Sequence, residues 1–324
     1  MPSAEPLLEI ITELTKKKDM SIYSKNKGLE LIKEKQFKFE KEIQQLIEGN
    51  LNTLLNLKFI KSEFALNNFR IDTLAFDMEA KSFVIIEFKR DKTFSVVDQG
   101  YAYLSLMLNN KADFILEYNE SQDGTLKRND IDWSQSKVIF ISPNFTNYQK
   151  EAINFKDLPI ELWEIKRFEN DTIFFEQIQK ANAIESIKTI SKSSDEAVEK
   201  VNKEIKVFTE NDHLQKGEFE IRELYEKLKE RLLNLDDNVN IQSKKQTVGF
   251  RVGNNIFCDV VILTKGLKIY LNLKSGDLLD EKNLARDVSN VGHWGNGSYE
   301  IKMSDTEELE YILSLLKQSL KKNK

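Results

Sequence analysis

The chain has 324 residues, 48 Lys and Arg against 53 Asp and Glu, and a formal net charge of −5. With 40% hydrophobic and 31% charged residues it can bury a core and stay in solution, and its 12 Gly and 4 Pro exclude collagen-like and Pro/Gly-rich disordered classes. One cysteine, Cys258, and two histidines, His213 and His293, exclude a disulfide framework, a Cys-built zinc site and a His-rich metal site within the chain. Any metal must then be held mainly by oxygen, which points to magnesium, manganese or calcium. The acidic balance also argues against a partner bound through bulk positive charge. Length suggests two domains. The first 20 residues carry Glu5, Glu9 and Glu13 inside their apolar pattern, so a signal peptide is not expected. No run approaches 18 apolar residues, and a cytoplasmic protein is expected.

Leu7, Leu8, Ile10, Ile11 and Leu14 lie at helical spacing. A second helix is predicted from about Phe37 to Leu55, with Gly49-Asn50 a weak interruption. The period then changes. Leu57 to Phe64, Phe69 to Phe76 and Ser82 to Phe88 read as strands, the last carrying the buried-looking run Phe83-Val84-Ile85-Ile86. A helix follows from Val97 to Leu108, then strand candidates at Phe114 to Tyr118 and Val138 to Ser142, with a helix near Asn147 to Asn154. Leu162 to Phe168 and Thr172 to Phe175 read as a closing hairpin. Residues 177–216 lose the strand signals and are expected to form a helical linker between a first domain, 1–176, and a second, 217–324. The second begins with an amphipathic helix, Phe219 to Leu235. Strands follow at Val239 to Gln242, Thr247 to Val252, Ile256 to Leu263, Leu267 to Leu273 and Tyr299 to Met303, and a helix at Thr306 to Leu320.

The chemistry-bearing stretch is Asp72 on one strand and Glu87-Phe88-Lys89 at the end of the next. Strand alternation puts Glu87 and Lys89 on one face with Phe88 behind. If the strands pair, Asp72 falls beside Glu87. Two adjacent carboxylates repel unless a cation lies between them, which makes a hard-cation site. Lys89 would orient a water or offset transition-state charge.

These residues resemble the PD-(D/E)XK, or restriction-endonuclease-like, nuclease superfamily, over roughly residues 35 to 175. Gln99-Gly100-Tyr101-Ala102-Tyr103 is similar to the Gln-X-X-X-Tyr pattern of its RecB-like branch. The resemblance implies an α/β fold, a mixed sheet flanked by helices, followed here by a smaller α+β domain. It implies a Mg2+- or Mn2+-dependent nuclease acting on nucleic acid, most often DNA, in repair or in defence against foreign DNA; a homodimer is compatible with it. Asp72, Glu87, the Phe88 carbonyl and a helical Glu40 would hold the metal. Lys89, Gln99 and Tyr103 would complete the catalytic set, and Arg70, Arg90, Lys92, Gln99 and Tyr103 would bind substrate. The alternative is a catalytically silent nucleic-acid-binding or regulatory module with a partner-binding C-terminal domain.

The second half resembles an uncharacterised bacterial domain family, sometimes described as a predicted transport protein, through Glu220 to Tyr225 and Gly292-His293-Trp294-Gly295-Asn296-Gly297. The glycine-rich segment reads as a tight turn with an aromatic anchor. Asp259 ahead of Asn272 and Lys274 echoes Asp72 ahead of Glu87 and Lys89, which suggests a degenerate copy or a chance likeness. His213 is expected to be a solvated linker residue and Cys258 a buried apolar one. Lys127-Arg128 and Lys89 to Lys92 are the expected basic rim of a cleft.

Overall fold

A computed structural model describes residues 21–25, 28–90, 95–122, 124–180, 185–186 and 196–324. The helix expected at the N-terminus and the candidate Lys92 lie outside them. Among the described residues the chain forms two six-stranded sheets and a small hairpin of β1 (Ile22–Lys25) and β2 (Leu29–Ile32).

The first sheet has the order β3 (Lys58–Leu66), β4 (Phe69–Asp77), β5 (Ser82–Phe88), β6 (Lys137–Ser142), β7 (Ile160–Arg167), β8 (Ile173–Gln177). β3, β4 and β5 form an antiparallel meander, β5, β6 and β7 run parallel, and β8 closes antiparallel. The sheet is thus mixed. Every residue of β5 is buried, as its apolar run requires for a central strand covered on both faces.

Helices α1 (Glu40–Glu48) and α2 (Leu51–Leu55) cover one face, where Ile43 and Ile47 pack with Val84, Ile86 and Phe88. Helices α3 (Val96–Asn109) and α4 (Lys111–Gln122) cover the other, where Leu104, Met107 and Phe114 pack with Leu74, Phe83 and Ile85. Short α5 (Asn147–Ala152) follows β6.

Two local expectations need correction. The helix predicted over Phe37 to Leu55 is two helices, because Gly49-Asn50 ends the first: Gly49 N–H donates to the Gln45 carbonyl and Asn50 Nδ2 to the Leu46 carbonyl. The strand predicted at Phe114 to Tyr118 is helix α4. Its apolar run looks strand-like, but Phe114 and Tyr118, four residues apart, share one buried helical face, and Leu116 between them is exposed. Phe114 meets Phe64 and Phe83 edge-on at 5.3 and 5.6 Å.

In residues 177–216 lie α6 (Glu196–Glu204) and α7 (Glu210–Leu214). Val201 and Ile205 belong to the first core, and the Tyr101 hydroxyl donates to Asn202 Oδ1 at 2.9 Å. His213 is not solvated. It is 1% exposed, with Nε2 2.7 Å from the Lys244 carbonyl, and burial holds it below its ordinary value.

The second sheet is antiparallel throughout: β13 (Arg286–Asp287), β14 (Tyr299–Met303), β12 (Gly266–Leu271), β11 (Asn255–Leu263), β10 (Val248–Val252), β9 (Val239–Ser243). Helices α8 (Phe219–Leu233) and α9 (Leu309–Asn323) pack on one face through Tyr225, Leu228, Ile312 and Leu316. This is the expected smaller α+β unit. No helix of the described residues is long and apolar enough to cross a membrane.

The second domain docks on the end of the first sheet where β5 begins. Lys245 pairs with Asp132 at 2.9 Å, Lys244 pairs with Glu79, and Asn254 Nδ2 donates to the Thr53 carbonyl. Glu87 is at the other end of β5, five residue steps from Ser82 or about 17 Å away. The docked domain therefore leaves the Glu87 end uncovered. Lys127-Arg128 also belongs to the β5 start, since Asp132 N–H donates to the Lys81 carbonyl there, so it does not rim the Glu87 cleft.

Candidate active site

The meander brings the predicted pair together. Thr73 is opposite Ile86 in the β4–β5 ladder, so Asp72 comes opposite Glu87. Asp72 Oδ2 accepts the Phe88 N–H at 3.0 Å. Lys89 Nζ lies 2.7 Å from Glu87 Oε1, and Lys89 N–H is tied to the Ile141 carbonyl at 2.9 Å, which fixes the strand end. Phe88 points to the opposite face, into the α1 core.

Helix α3 supplies the rest. Gln99 Nε2 donates to Glu87 Oε1 at 3.0 Å and reaches the Tyr103 hydroxyl at 3.3 Å. The Tyr103 hydroxyl donates to the Arg70 carbonyl at 3.4 Å. Gln99 and Tyr103 share a helix face because they are four residues apart. Glu87 Oε1 thus has two donors, whereas Oε2 is buried with no hydrogen-bond partner among the described residues. A buried carboxylate oxygen left bare is costly unless something positive meets it.

The electrostatics agree. Burial first, and then the Glu87 charge, push Asp72 up to about 6; the Phe88 N–H and Lys89 pull the other way. Burial and Glu87 likewise push the Tyr103 hydroxyl upward. Two carboxyls on one face, one oxygen bare and one group raised, are donors of the kind that a hard divalent cation takes. Magnesium commonly takes one or two carboxylates and keeps several waters. The residues present therefore fit such an ion, with one restriction. Among the described residues no three His, Cys, Asp or Glu side chains meet in a cluster fit for a metal.

Glu40 does not join the pair. It is exposed at the start of α1, and its Oε1 accepts the Arg90 N–H at 2.8 Å. It braces the chain just past Lys89. The Arg90 guanidinium donates to the Lys38 carbonyl, and Arg70 projects at the rim with Nε 2.9 Å from Glu63.

Two residues escape the motif. Gln44, 4% exposed, donates from Nε2 to the Asp72 carbonyl at 2.9 Å and to Ser62 Oγ at 3.1 Å. Glu63 has φ +54°, and the β3–β4 ladder pairs Ser62 with Thr73 and Phe64 with Ile71 but skips the Glu63–Asp72 step. The skipped step leaves the Asp72 carbonyl to Gln44. A glutamine next to the apolar stripe of α1 was the one available signal; nothing in the sequence marks Glu63.

The echo in the second domain fails. Asp259 is opposite Tyr270, not Asn272, and β12 continues to an antiparallel strand where β5 continues to a parallel one. Asp259, 1% exposed, accepts from Thr247 Oγ1 at 2.7 Å and from Asn296 N and Nδ2, both at 2.8 Å. It holds the glycine-rich loop. At Gly297, φ +84°, a Cβ would lie 2.0 Å from the Leu271 carbonyl oxygen. The aromatic anchor of this loop is His293, stacked on Tyr270 at 5.5 Å, while Trp294 is 63% exposed. Cys258 is buried, as expected, and burial pushes its thiol up.

Among solved structures, the chain has remote likeness to an EndoMS–double-stranded DNA complex (14% identity, TM-score 0.26, 41% of this chain and 60% of that one). A repair endonuclease from Pyrococcus abyssi (15%, 0.22, 41% and 60%) and SfsA of Pyrococcus furiosus in complex with Ca2+ (15%, 0.23, 42% and 61%) are similarly remote. The chain spans about 60% of the length of these structures. Residues 210–322 match a domain of unknown function, DUF5655. An uncharacterised protein of Haemophilus influenzae is 54% identical over 303 residues, 93% of this chain and all of that one, and the chain belongs to the family of that protein.

Proposed function

We propose that the first domain is a metal-dependent nuclease hydrolysing phosphodiester bonds, with DNA as substrate. The observation that carries this reading is the facing pair Asp72 and Glu87, with Glu87 Oε2 buried and bare and Lys89 at 2.7 Å. Asp72, Glu87 and the Phe88 carbonyl would hold Mg2+ or Mn2+, which when bound lowers the pKa of water and stabilises a leaving oxygen.

The remaining steps belong to the chain's own groups. Lys89 orients the attacking water and offsets charge on the phosphoryl oxygens. Gln99 keeps Glu87 Oε1 occupied, so that Oε2 is the oxygen left to the cation. The Phe88 N–H does the same for one oxygen of Asp72. Tyr103 braces Gln99, and Arg70 and Arg90 stand at the open end as phosphate contacts. Glu40 acts through the Arg90 backbone. The second domain docks at the other end of β5, so it does not stand between a polymer and Glu87.

A second reading, a silent nucleic-acid-binding or regulatory module, draws on one observation: Glu40 is engaged with Arg90 and brings no third carboxylate to the pair. Purified protein incubated with plasmid, linear duplex and single-stranded DNA, and with RNA, in Mg2+ or Mn2+, separates the two. Cleavage that needs the metal and vanishes in Glu87→Gln and Lys89→Ala supports hydrolysis. Equal inertness of wild type and variants on every substrate supports the silent module.

A further inference from the structure

Between the two domains, at the opposite end of the first sheet from Glu87, lies a cleft with two lobes of about 320 and 460 Å3. The lobes share Asp77, Lys137, Glu161, Gln177, Gln179 and Gln242, so they are continuous. Their size is that of small-ligand sites, which favour domain interfaces.

The charge of the smaller lobe runs against that of the chain. Lys137, Lys156, Lys180, Lys206 and Lys244 line it, against Asp77 and Glu161, in a protein of net charge −5. Two of these cations are matched: Lys137 by Glu161 at 2.7 Å, and Lys244 by Glu79. Lys180 is not. It is half-buried, and its Nζ donates to the Leu158 carbonyl at 2.6 Å. Among the described residues it reaches no carboxylate at ion-pair distance. Burial holds it down at about 8, and Glu161 and Asp157 only partly offset that.

In the larger lobe Arg251, also half-buried, donates among the described residues to neutral oxygens only: the Gly253 carbonyl at 2.9 Å, Asn254 Oδ1 at 3.1 Å and Gln242 Oε1 at 3.4 Å. Asp77, Glu79 and Glu161 also line this lobe and only partly offset the burial of Arg251. Desolvating a cation without an ion-pair partner is costly, and a fold that keeps two such groups on one cleft is suited to an anion. The carboxamides of Gln177, Gln179 and Gln242 line both lobes, and the larger lobe adds Asn240 and the ring of Trp163. Carboxamides donate and accept, so with an aromatic wall they suit a flat polar ring.

We propose that this cleft binds a nucleotide, with its phosphate against Lys180 in the smaller lobe and its base among the carboxamides, Trp163 and Arg251 in the larger. The site joins the two domains and is independent of the hydrolytic reading.

Calorimetry on the full chain in EDTA, titrating AMP, UMP and inorganic phosphate separately, tests it. A nucleoside monophosphate is expected to bind saturably, at least about tenfold more tightly than phosphate. Lys180→Met and Arg251→Gln are each expected to weaken it about tenfold or more. Lys180→Met without ligand is expected to melt higher than wild type, because it removes a cation whose burial Glu161 and Asp157 offset only in part, so weaker binding cannot be put down to misfolding. Asp72→Asn is expected to bind as wild type does, which separates this site from the metal pair whatever the outcome of the cleavage assay. The proposal is overturned if neither nucleotide binds more tightly than phosphate. It is also overturned if Lys180→Met and Arg251→Gln both bind as wild type, or if Asp72→Asn abolishes binding.

Discussion

Asp72 and Asp259 sit on antiparallel strands of two sheets in one chain and are treated in opposite ways. Asp259 is saturated: Thr247 takes one oxygen and Asn296 the other, twice, and the result is a pinned glycine-rich loop. Asp72 has one backbone N–H, a like charge opposite, and a neighbour with a bare oxygen. A carboxylate placed for stability has its hydrogen bonds filled. A carboxylate placed for a cation is left short of them, and its pKa rises.

The sharpest way to break this comparison is Glu87→Gln. If Glu87 holds a metal, cleavage should fall by about 10^3-fold, as when one strong electrostatic contact to a transition state is removed, and Mn2+ binding followed by calorimetry should be lost. Retained Mn2+ binding would put Glu87 on the structural side with Asp259.

Asp259→Ala is the converse. It strands Thr247 and the Asn296 amide and should cost about 3 kcal/mol in urea unfolding of the second domain. Mn2+ affinity should not change. A weakened metal site would show that the two sheets are coupled.

Asp72→Asn should act on stability in the other direction. In metal-free protein the raised value means that the fold favours the protonated carboxyl. Stability therefore falls as pH rises from 3.8, the ordinary value, towards about 6, and the full cost persists above that. The variant should melt higher than wild type in EDTA at pH 8, by on the order of 2 kcal/mol after allowance for solvent screening. The gain should vanish below about pH 4. No gain at pH 8 would mean that Asp72 is satisfied as Asp259 is.

The smallest effect belongs to Glu40→Ala, which removes one acceptor from an exposed backbone N–H. A stability loss of about 1 kcal/mol and a change in cleavage of less than about tenfold are expected. A loss as large as that of Glu87→Gln would return Glu40 to the metal.

Much of this was legible beforehand because the relevant physics is local. Alternation along β5 put Glu87 and Lys89 on one side, and four-residue spacing put Gln99 with Tyr103. The meander of β3, β4 and β5 followed from three short apolar runs separated by turns. The failures have equally physical causes. Phe114 to Tyr118 has strand-like composition, and only packing of alternate helical turns on the sheet decides its helix. Glu40 lies on the right helical stripe, but it stands at the first residue of α1, where Arg90 turns past it. His213 lies in a polar stretch, and its burial is tertiary, with Nε2 held at the carbonyl of Lys244 further along the chain.

The sequence by itself determined the types of ligand available, the two carboxylates and their lysine, the strand periods, and the scarcity of soft ligands. Those depend on residue identity and short-range spacing. Tertiary structure alone decided which carboxylate oxygens stay bare, that Gln44 rather than Glu40 reaches Asp72, and that Asp259 is filled. It also placed the second domain on the end of the sheet remote from Glu87, where its lysines and Arg251 meet those of the first. Hydrogen-bond saturation and charge balance are properties of groups far apart in the chain, so they exist only once the sheets are assembled.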